Sequence, residues 1–223
     1  PKSIWQIPKY GTINLHASLL PNYRGSAPIN WVIINNEDFT GVTTFFIDDK
    51  IDTGDILLQK KIKLNKEINA GELHDKLKVI GAIIVKKTIK EILNNTLIKK
   101  KQKQDGNYKT AYKLDKENIK IDWDQNSLEI HNKIRGLSPF PGARTSLINN
   151  NGDIKKAILY ESEYIVHDHN FDNGQIIKEK DLFKITCNDG YLLIKNLKIE
   201  GKKRMNTSSF LNGFNIEKYK MVK

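Results

Sequence analysis

Cysteine is nearly absent from this sequence of 223 residues, which contains Cys187 alone. A single thiol cannot form an internal disulfide and has no second cysteine with which to hold a structural metal, so the composition argues against thiol redox chemistry and structural zinc. Long apolar runs are missing as well: no stretch approaches the ~18 to 20 residues of a membrane span, and the opening PKSIWQIPKYG lacks the apolar core of a signal peptide. We therefore expect a cytoplasmic protein with no membrane partner.

Glycine-rich phosphate loops are absent too, because neither GxGxxG nor GxxxxGKS occurs. Arginine is scarce and accounts for four of the 37 basic residues. The net charge of +11 would ordinarily indicate a nucleic acid or an acidic membrane as partner. Lys, Ile and Asn are so abundant, however, that an A/T-rich coding sequence would produce this charge without selection. Composition alone therefore leaves a polyanionic partner open.

Apolar periodicity divides the chain into an α/β part and an all-β part. In the first part it predicts, in order, a strand over 12–15, a helix from Pro28, strands over 41–47 and 55–64, and a long amphipathic helix over 70–93. Asn69 and Glu72 form a capping-box pattern at the start of that helix. Beyond a helix near 126–136, short alternating segments separated by Asn, Asp and Gly turns are typical of a small β-barrel or sandwich.

A lysine-rich stretch with few apolar residues, NNTLIKKKQKQDGNYKT, separates the two parts. We expect a first domain over 1–94, a basic linker over 95–110 and a β-domain over 111–223. Charge is uneven between them, because residues 1–94 carry 13 basic and 10 acidic side chains, whereas residues 95–223 carry 24 and 16.

Some of these basic residues are candidate contacts for a nucleic acid. The linker lysines could follow a phosphate backbone, or they could simply be solvated; they are Lys99, Lys100, Lys101 and Lys103. Arg135 and Arg144 stand out because arginine is scarce here and suits bidentate phosphate contacts better than lysine does.

Two polar side chains, Asn14 and His16, end the first predicted strand on one side of it, since alternate residues of a strand share a face. Polar groups at the carboxyl end of a strand in an α/β sheet are where ligands usually bind. Asp52, in the loop DDKIDTGD between two predicted strands, adds a carboxylate. Each also has a purely structural interpretation: Asn14 could cap a turn, His16 could satisfy a buried carbonyl, and Asp52 could be an ordinary turn aspartate.

A carboxylate, an imidazole and an amide together suit acyl transfer to an amine. An imidazole beside a carboxylate can donate to the oxygen that becomes negative in a tetrahedral intermediate, and an Asn amide adds a second donor. Losing one such donor typically costs about 10²- to 10³-fold in rate. Asn14, His16 and Asp52 are therefore candidates for such a transfer, which would need no Ser or Cys nucleophile.

The stretch HASLLPNYRGSAP and the later DTGDI loop resemble the formyltransferases that use 10-formyltetrahydrofolate, most closely the methionyl-tRNA formyltransferase branch. IDWDQNSLEIHNKIRGLSPFPGA is similar to the start of that family's C-terminal domain. The resemblance implies an α/β plus all-β protein, in which the C-terminal half of a Rossmann-like formyltransferase domain precedes an OB-fold-like β-barrel. It carries the family's catalytic trio onto Asn14, His16 and Asp52. It carries the segment that lies against the folate onto Ser18, Leu19, Leu20 and Pro21.

The implied activity is formyl transfer from 10-formyltetrahydrofolate to the α-amino group of methionine on initiator tRNA, in translation initiation. The amine would attack the formyl carbon, Asn14 and His16 would hold the oxyanion, and Asp52 would orient His16 and help remove the amine proton. We expect a monomer with folate as co-substrate, initiator methionyl-tRNA as partner and no metal. Arg24 and Gly25, after the folate segment, could shape the loop or contact a substrate.

Members of the resembled family have a further half-domain ahead of the position that matches Pro1. That part supplies one wall of the folate pocket, and without it the first strand would lack its parallel neighbours. We therefore expect the chain in this form to be truncated, and weak or inactive alone.

Two other functions stay open. One is formylation of a small amine, such as glycinamide ribonucleotide or a nucleotide-linked amino sugar. The other is a non-catalytic, basic OB-like module that only binds RNA. RNA affinity that survives substitution of Asn14 and His16, with no formyl transfer to any acceptor, would identify the second.

Overall fold

The computed structural model of the chain describes residues 2–103 and 106–222, in two units. The first unit comprises Pro1–Val32 and Asn36–Leu114, and the second comprises Ile33–Asn35 and Asp115–Lys223. Three pieces of the expected domains lie outside the described residues: residue 1, residues 104 and 105 of the expected linker, and residue 223.

Three antiparallel strands form the sheet of the first unit, in the order β1-β3-β4. A second, two-residue parallel pairing joins β2 to β5. The elements before residue 115 are α1 (Lys2–Trp5), β1 (Ile13–His16), β2 (Arg24–Gly25), α2 (Pro28–Ile34), β3 (Phe39–Phe46), β4 (Ile56–Lys63), α3 (Ala70–Leu93) and β5 (Thr110–Ala111). These bounds confirm the order strand, helix, strand, strand, helix that periodicity predicts.

Helix α3 begins where its capping box predicts. The Asn69 side chain accepts a hydrogen bond from the Glu72 amide at 3.0 Å, and the Glu72 carboxylate accepts one from the Asn69 amide at 3.1 Å. Two backbone donors that the first helical turn cannot satisfy internally are thereby paired. The buried positions of α3 recur at helical spacing, at Ala70, Leu73, Leu77, Gly81, Ile84 and Thr88. They form the apolar stripe that packs this helix against the sheet.

The register of the sheet decides which face carries the predicted site. Asn14 pairs with Phe45 and His16 pairs with Thr43, so these four side chains share one face. The alternate residue Thr44 points to the other face, where its hydroxyl lies 2.8 Å from that of Thr88 in α3. The helix therefore covers one face of the sheet, and Asn14 and His16 lie on the opposite face.

A single curved antiparallel sheet forms the second unit, in the order β12-β6-β7-β10-β9-β8, with β11 paired to β10. The Met221 amide of β12 donates to the Gly174 carbonyl just before β8 at 2.9 Å, so the two ends of the sheet nearly meet. This confirms the expected OB-like barrel. The elements are α4 (Ser127–Leu137), β6 (Ala143–Asn149), β7 (Ile154–Val166), β8 (Ile176–Glu179), β9 (Leu182–Cys187), β10 (Gly190–Ile199), β11 (Met205–Asn206), α5 (Thr207–Asn212), a 3-10 turn (Ile216–Lys218) and β12 (Tyr219–Met221).

Trp123 anchors the core of this second unit. Its side chain is fully buried, and its indole N–H donates to the hydroxyl of Thr145 in β6 at 3.0 Å. Ile130, Ile134 and Leu137 of α4 are also fully buried, at the spacing of one helix face. A capping box at Asn126 and Glu129 begins this helix one residue after its predicted start.

Membrane insertion by a helix finds no support within residues 2–103 and 106–222, because no helix there is both long and apolar enough to span a bilayer. Even the longest, α3, carries charged residues along its 24-residue length.

Candidate active site

His16 and Asp52 are brought together at the end of β1. Nδ1 of His16 lies 3.6 Å from Oδ2 of Asp52, and their side chains are 7% and 13% exposed. His16 is the last residue of β1, whereas Asp52 lies in the loop between β3 and β4. Two of the three residues predicted from the sequence therefore form an almost buried pair of an imidazole and a carboxylate.

The second ring nitrogen of His16 has a separate partner. Nε2 lies 2.7 Å from the carbonyl oxygen of Tyr23. Because a carbonyl can only accept, we assign the hydrogen of this contact to Nε2. His16 thus makes the carbonyl contact of its structural interpretation and faces a carboxylate through Nδ1. In the imidazolium form Nδ1 also carries a hydrogen, and it could donate that hydrogen to Asp52 or to a ligand.

Asp52 is anchored at its carboxylate. Its Oδ2 accepts a hydrogen bond from the Gly25 amide at 2.9 Å, on the same oxygen that faces His16. The backbone of Asp52 is left-handed, with φ of 55°, a conformation that Asp, Asn and Gly adopt more readily than other residues. In the same loop the Thr53 hydroxyl donates to the Asp48 carboxylate at 2.7 Å. The loop between β3 and β4 is thereby ordered around Asp52.

Gln102 is a further member of this site, and the sequence offered no signal for it. Its side-chain amide donates to the carbonyl oxygens of Asp52 at 2.9 Å and Gly54 at 2.8 Å. Its Oε1 accepts from Arg24, from Nε at 3.1 Å and from Nη2 at 2.7 Å. Gln102 is 7% exposed, although it lies in the lysine-rich stretch expected to be a linker. Composition cannot distinguish a polar segment that is exposed to solvent from one that packs against the rest of its domain.

Asn14 lies on the face of the sheet that carries His16, but its side chain is exposed. The amide oxygen accepts from the backbone N–H of Leu15 at 2.9 Å. Because the side-chain oxygen of Asn14 already accepts a hydrogen bond from the backbone of β1, the side-chain –NH₂ is the group that could donate to a ligand.

Only part of the segment predicted to bind folate has side chains that a ligand could reach. Ser18 and Leu20 are buried, whereas Leu19 and Pro21 are half-buried. The Thr43 hydroxyl donates to the Ser18 carbonyl at 2.7 Å and accepts from the Leu20 amide at 3.1 Å. Side-chain contact with a ligand is therefore open to Leu19 and Pro21, while Ser18 and Leu20 hold the segment on β3.

The basic residues considered for phosphate contacts differ in their accessibility. Arg135 is buried in α4 and donates to Asn132 Oδ1 at 3.0 Å, so its guanidinium is not presented at the surface, whereas Arg144 is exposed. Lys100 is exposed, and its backbone forms an antiparallel bridge with Ile56 at the start of β4. Lys99 places its ammonium 4.6 Å from the centre of the Phe46 ring.

Two clear pKa shifts occur in the second unit. Burial raises the pKa of the Cys187 thiol to about 12, with a further contribution from the nearby charge of Asp189. Burial also lowers the pKa of Lys133, partly offset by the charge of Asp122. Within the described ranges no group of three or more His, Cys, Asp or Glu side chains is arranged to hold a metal ion.

Known families match both parts of the chain. The formyl transferase family matches residues 1–89, and the formyl transferase C-terminal domain matches residues 113–215. The two matches follow each other in the order of the two structural units.

Curated relatives are similar over nearly the whole chain. A methionyl-tRNA formyltransferase of Flavobacterium johnsoniae is 49% identical over 96% of this chain and 67% of its own length. One from Bacteroides thetaiotaomicron is 39% identical over 99% of this chain and 70% of its own length. The chain therefore spans about two thirds of the length of these relatives.

Two solved structures share the fold. An N-formyltransferase from Helicobacter canadensis, solved with folinic acid and dTDP-3-aminofucose, matches with a TM-score of 0.61 and 29% identity, over 82% of this chain and 64% of that chain. HypX from Aquifex aeolicus, solved with tetrahydrofolic acid, matches with a TM-score of 0.67 over 100% of this chain and 40% of that chain, and at 18% identity it shows the fold alone. Since both domains match in order and relatives reach 49% identity over nearly the whole chain, the chain belongs to the methionyl-tRNA formyltransferase family.

Proposed function

We propose that this protein transfers the formyl group of 10-formyltetrahydrofolate to the α-amino group of methionine on initiator tRNA. The observation that carries the proposal is the almost buried His16–Asp52 pair on the sheet face shared with Asn14, in a chain 49% identical to a methionyl-tRNA formyltransferase. A folate donor is supported by the structure of the Helicobacter canadensis N-formyltransferase, which is 29% identical to this chain and was solved with folinic acid.

The reaction is an addition followed by an elimination. The free amine of methionine attacks the formyl carbon, and a new C–N bond forms as the carbonyl oxygen becomes negative. Asn14 and His16 donate to this oxyanion, Asn14 through its side-chain –NH₂ and His16 through the Nδ1–H of its imidazolium form, since Nε2–H is engaged by the Tyr23 carbonyl. Such donors are worth more in the transition state than in the ground state, because charge develops only there.

Asp52 supports His16 and handles the proton. Its negative charge at 3.6 Å from Nδ1 stabilises positive charge on the imidazole as the oxyanion forms. The attacking amine loses one proton, which Asp52 accepts directly or through a water. The bond from the formyl carbon to N10 of the folate then breaks, and the proton that Asp52 accepted moves to N10 as tetrahydrofolate leaves, which restores the Asp52 carboxylate.

The folate donor lies against the segment from Ser18 to Pro21 in this proposal. The half-buried Leu19 and Pro21 offer apolar contact area to its rings, while Ser18 and Leu20 act through the backbone that they fix. The Ser18 hydroxyl donates to the Asn22 carbonyl at 2.7 Å, which keeps this hydroxyl within the loop.

The tRNA contacts the lysine-rich part of the chain. Residues 95–223 hold 24 basic and 16 acidic residues, so most of the net positive charge lies there. Exposed Arg144 and the linker lysines are candidate phosphate contacts, and each phosphate neutralised steepens the dependence of binding on salt. The proposal sets the reaction in the cytoplasm, with the protein acting as a monomer without a metal. Unchanged activity in EDTA tests the last point.

The decisive experiment compares acceptors. The protein is incubated with 10-formyltetrahydrofolate and initiator methionyl-tRNA, glycinamide ribonucleotide or a dTDP-linked amino sugar, and each product is identified by mass spectrometry. Formylmethionyl-tRNA that disappears in His16→Asn protein supports the proposal. Formylation of a small amine in preference to the tRNA would overturn the assigned acceptor. Tight RNA binding with no formyl transfer to any acceptor, both by this chain and by a form extended at its N-terminus to the length of its relatives, would overturn the assignment as an enzyme.

A further inference from the structure

We propose that Gln102 is a positioning residue for formyl transfer, which together with Arg24 fixes the Asp52 turn at its distance from His16. The inference rests on the proposed function, because it assigns a role in the same site. It is carried by four hydrogen bonds of one buried amide: two to carbonyl oxygens of the turn and two from the Arg24 guanidinium.

The first two bonds fix the backbone that carries Asp52. Gln102 Nε2 donates to the carbonyls of Asp52 and Gly54, so both ends of this three-residue segment are held by one group. The backbone of Asp52 has φ of 55°, and a non-glycine residue keeps such a conformation only where its surroundings hold it. Loss of these donors would free the segment to relax.

The other two bonds connect Gln102 to the carboxylate of Asp52 by a second route. Arg24 places two guanidinium nitrogens on Gln102 Oε1, and the neighbouring Gly25 amide donates to Asp52 Oδ2 at 2.9 Å. Arg24 and Gly25 are themselves held in β2 by the parallel pairing with Thr110 and Ala111. The backbone and the side chain of Asp52 are thus both tied to this buried glutamine.

Gln102 supports the site without occupying it. Its amide is directed at the Asp52 turn and at Arg24, so it acts on the reaction only through Asp52. Asp52 lies 3.6 Å from His16 Nδ1, and a displacement of about 1 Å at a catalytic group can cost about 10²-fold in rate. A group that fixes this distance therefore affects kcat more than substrate binding.

Three variants distinguish the bonds that Gln102 donates to the Asp52 turn from those that it accepts from Arg24. Gln102→Met keeps the length of the side chain and removes all four hydrogen bonds. Gln102→Glu keeps acceptors for Arg24 and sets a negative charge against two carbonyl oxygens. Arg24→Lys keeps the charge and loses the planar fork. Gln175→Met, an exposed glutamine of the second unit, controls for the change of side chain.

We expect Gln102→Met and Gln102→Glu to lower kcat by about 10- to 100-fold while KM for each substrate stays within about twofold. Arg24→Lys should have a smaller effect in the same direction. Independently of activity, the ¹H–¹⁵N resonance of the Gly25 amide should move in Gln102→Met toward its position in Asp52→Ala, because both changes weaken its hydrogen bond to Asp52. Gln175→Met should change neither readout.

An unchanged kcat in Gln102→Met, or a Gly25 resonance at its wild-type position, would overturn the inference. A fall in kcat matched by a general loss of folded amide resonances in all three variants would also overturn it, because the role would then be structural. Failure of the proposed function can be distinguished from failure of this inference about Gln102. That function is contradicted if neither this chain nor its form extended to the length of its relatives formylates any acceptor, while the Gly25 amide still reports whether Gln102 holds Asp52.

Discussion

Asp52 reaches His16 from a loop that lies 36 residues further along the chain, and its Oδ2 stands 3.6 Å from His16 Nδ1 while accepting from the Gly25 amide. A single carboxylate oxygen therefore links the last residue of β1 to the last residue of β2. The imidazole is bounded on its other side by the Tyr23 carbonyl. These two contacts restrict rotation of the imidazole ring. The orientation of His16 is therefore set before a substrate binds.

Asp52→Asn should lower kcat for formyl transfer by about 10²- to 10⁴-fold. The substitution removes the negative charge beside His16 but keeps an oxygen that can accept from the Gly25 amide. We expect the unfolding temperature to change little. Initial rates and thermal unfolding of both proteins check this, and near-normal formylation by the variant would contradict the role of Asp52.

Asn14→Ala should lower kcat by about 10²- to 10³-fold, which is the usual cost of losing one oxyanion donor. The side chain is exposed, so the free energy of unfolding should be nearly unchanged. Steady-state kinetics and urea unfolding test the two expectations. Asn170→Ala, at another exposed position, serves as the control. An equal loss of activity in both variants would argue against a specific role for Asn14.

Thr43→Val should destabilise the protein by about 1 to 3 kcal/mol, because it leaves buried polar groups without a partner. The Thr43 hydroxyl joins the Ser18 carbonyl, the Leu20 amide and the Gln59 side chain, all within 3.1 Å. We also expect KM for the folate donor to rise, since this hydroxyl holds the segment proposed to bind it. Urea unfolding measures the first effect, with the exposed Thr110→Val as control.

Cys187 should react with thiol reagents only as fast as the protein unfolds, because the thiol is buried and its pKa is raised to about 12. The same shift predicts a dependence of stability on pH. Between about pH 8.5 and pH 12 the unfolded thiol loses its proton while the folded thiol keeps it, so the unfolding free energy falls with rising pH.

The measurement for this prediction is the difference in unfolding free energy between wild-type and Cys187→Ala protein. It should fall by up to about 1.4 kcal/mol per pH unit in that range, because only the wild type carries the thiol. A difference that stays constant up to pH 11, or labelling much faster than unfolding, would contradict the burial of Cys187.

Local signals in the sequence predicted the framework well. The capping box of Asn69 and Glu72 lies within four residues of chain, and it predicted the start of α3 correctly. The alternation that sets Asn14 and His16 on one face of β1 is likewise a property of neighbouring residues. Features that depend only on residues close together in the chain can be predicted from a single sequence.

Gln102 could not be predicted, because its partners are distant in the sequence. Asp52 precedes it by 50 residues and Arg24 by 78. Arg135 shows the opposite error. Its rarity suggested a phosphate contact, but it lies within the helix whose Ile134 and Leu137 are buried, and it pairs with Asn132 one turn earlier. Helical spacing was the better guide there than rarity.

The left-handed backbone at Asp52 restricts which side chains this position can carry. Glycine, asparagine and aspartate adopt that conformation more readily than most residues, and aspartate is the acid among these three. Glutamate carries the same charge on a longer side chain, but it adopts this backbone conformation less readily than aspartate does. The turn thus favours aspartate over glutamate as the acid at this position, and a redesign that moves the carboxylate would also have to change the backbone of the turn.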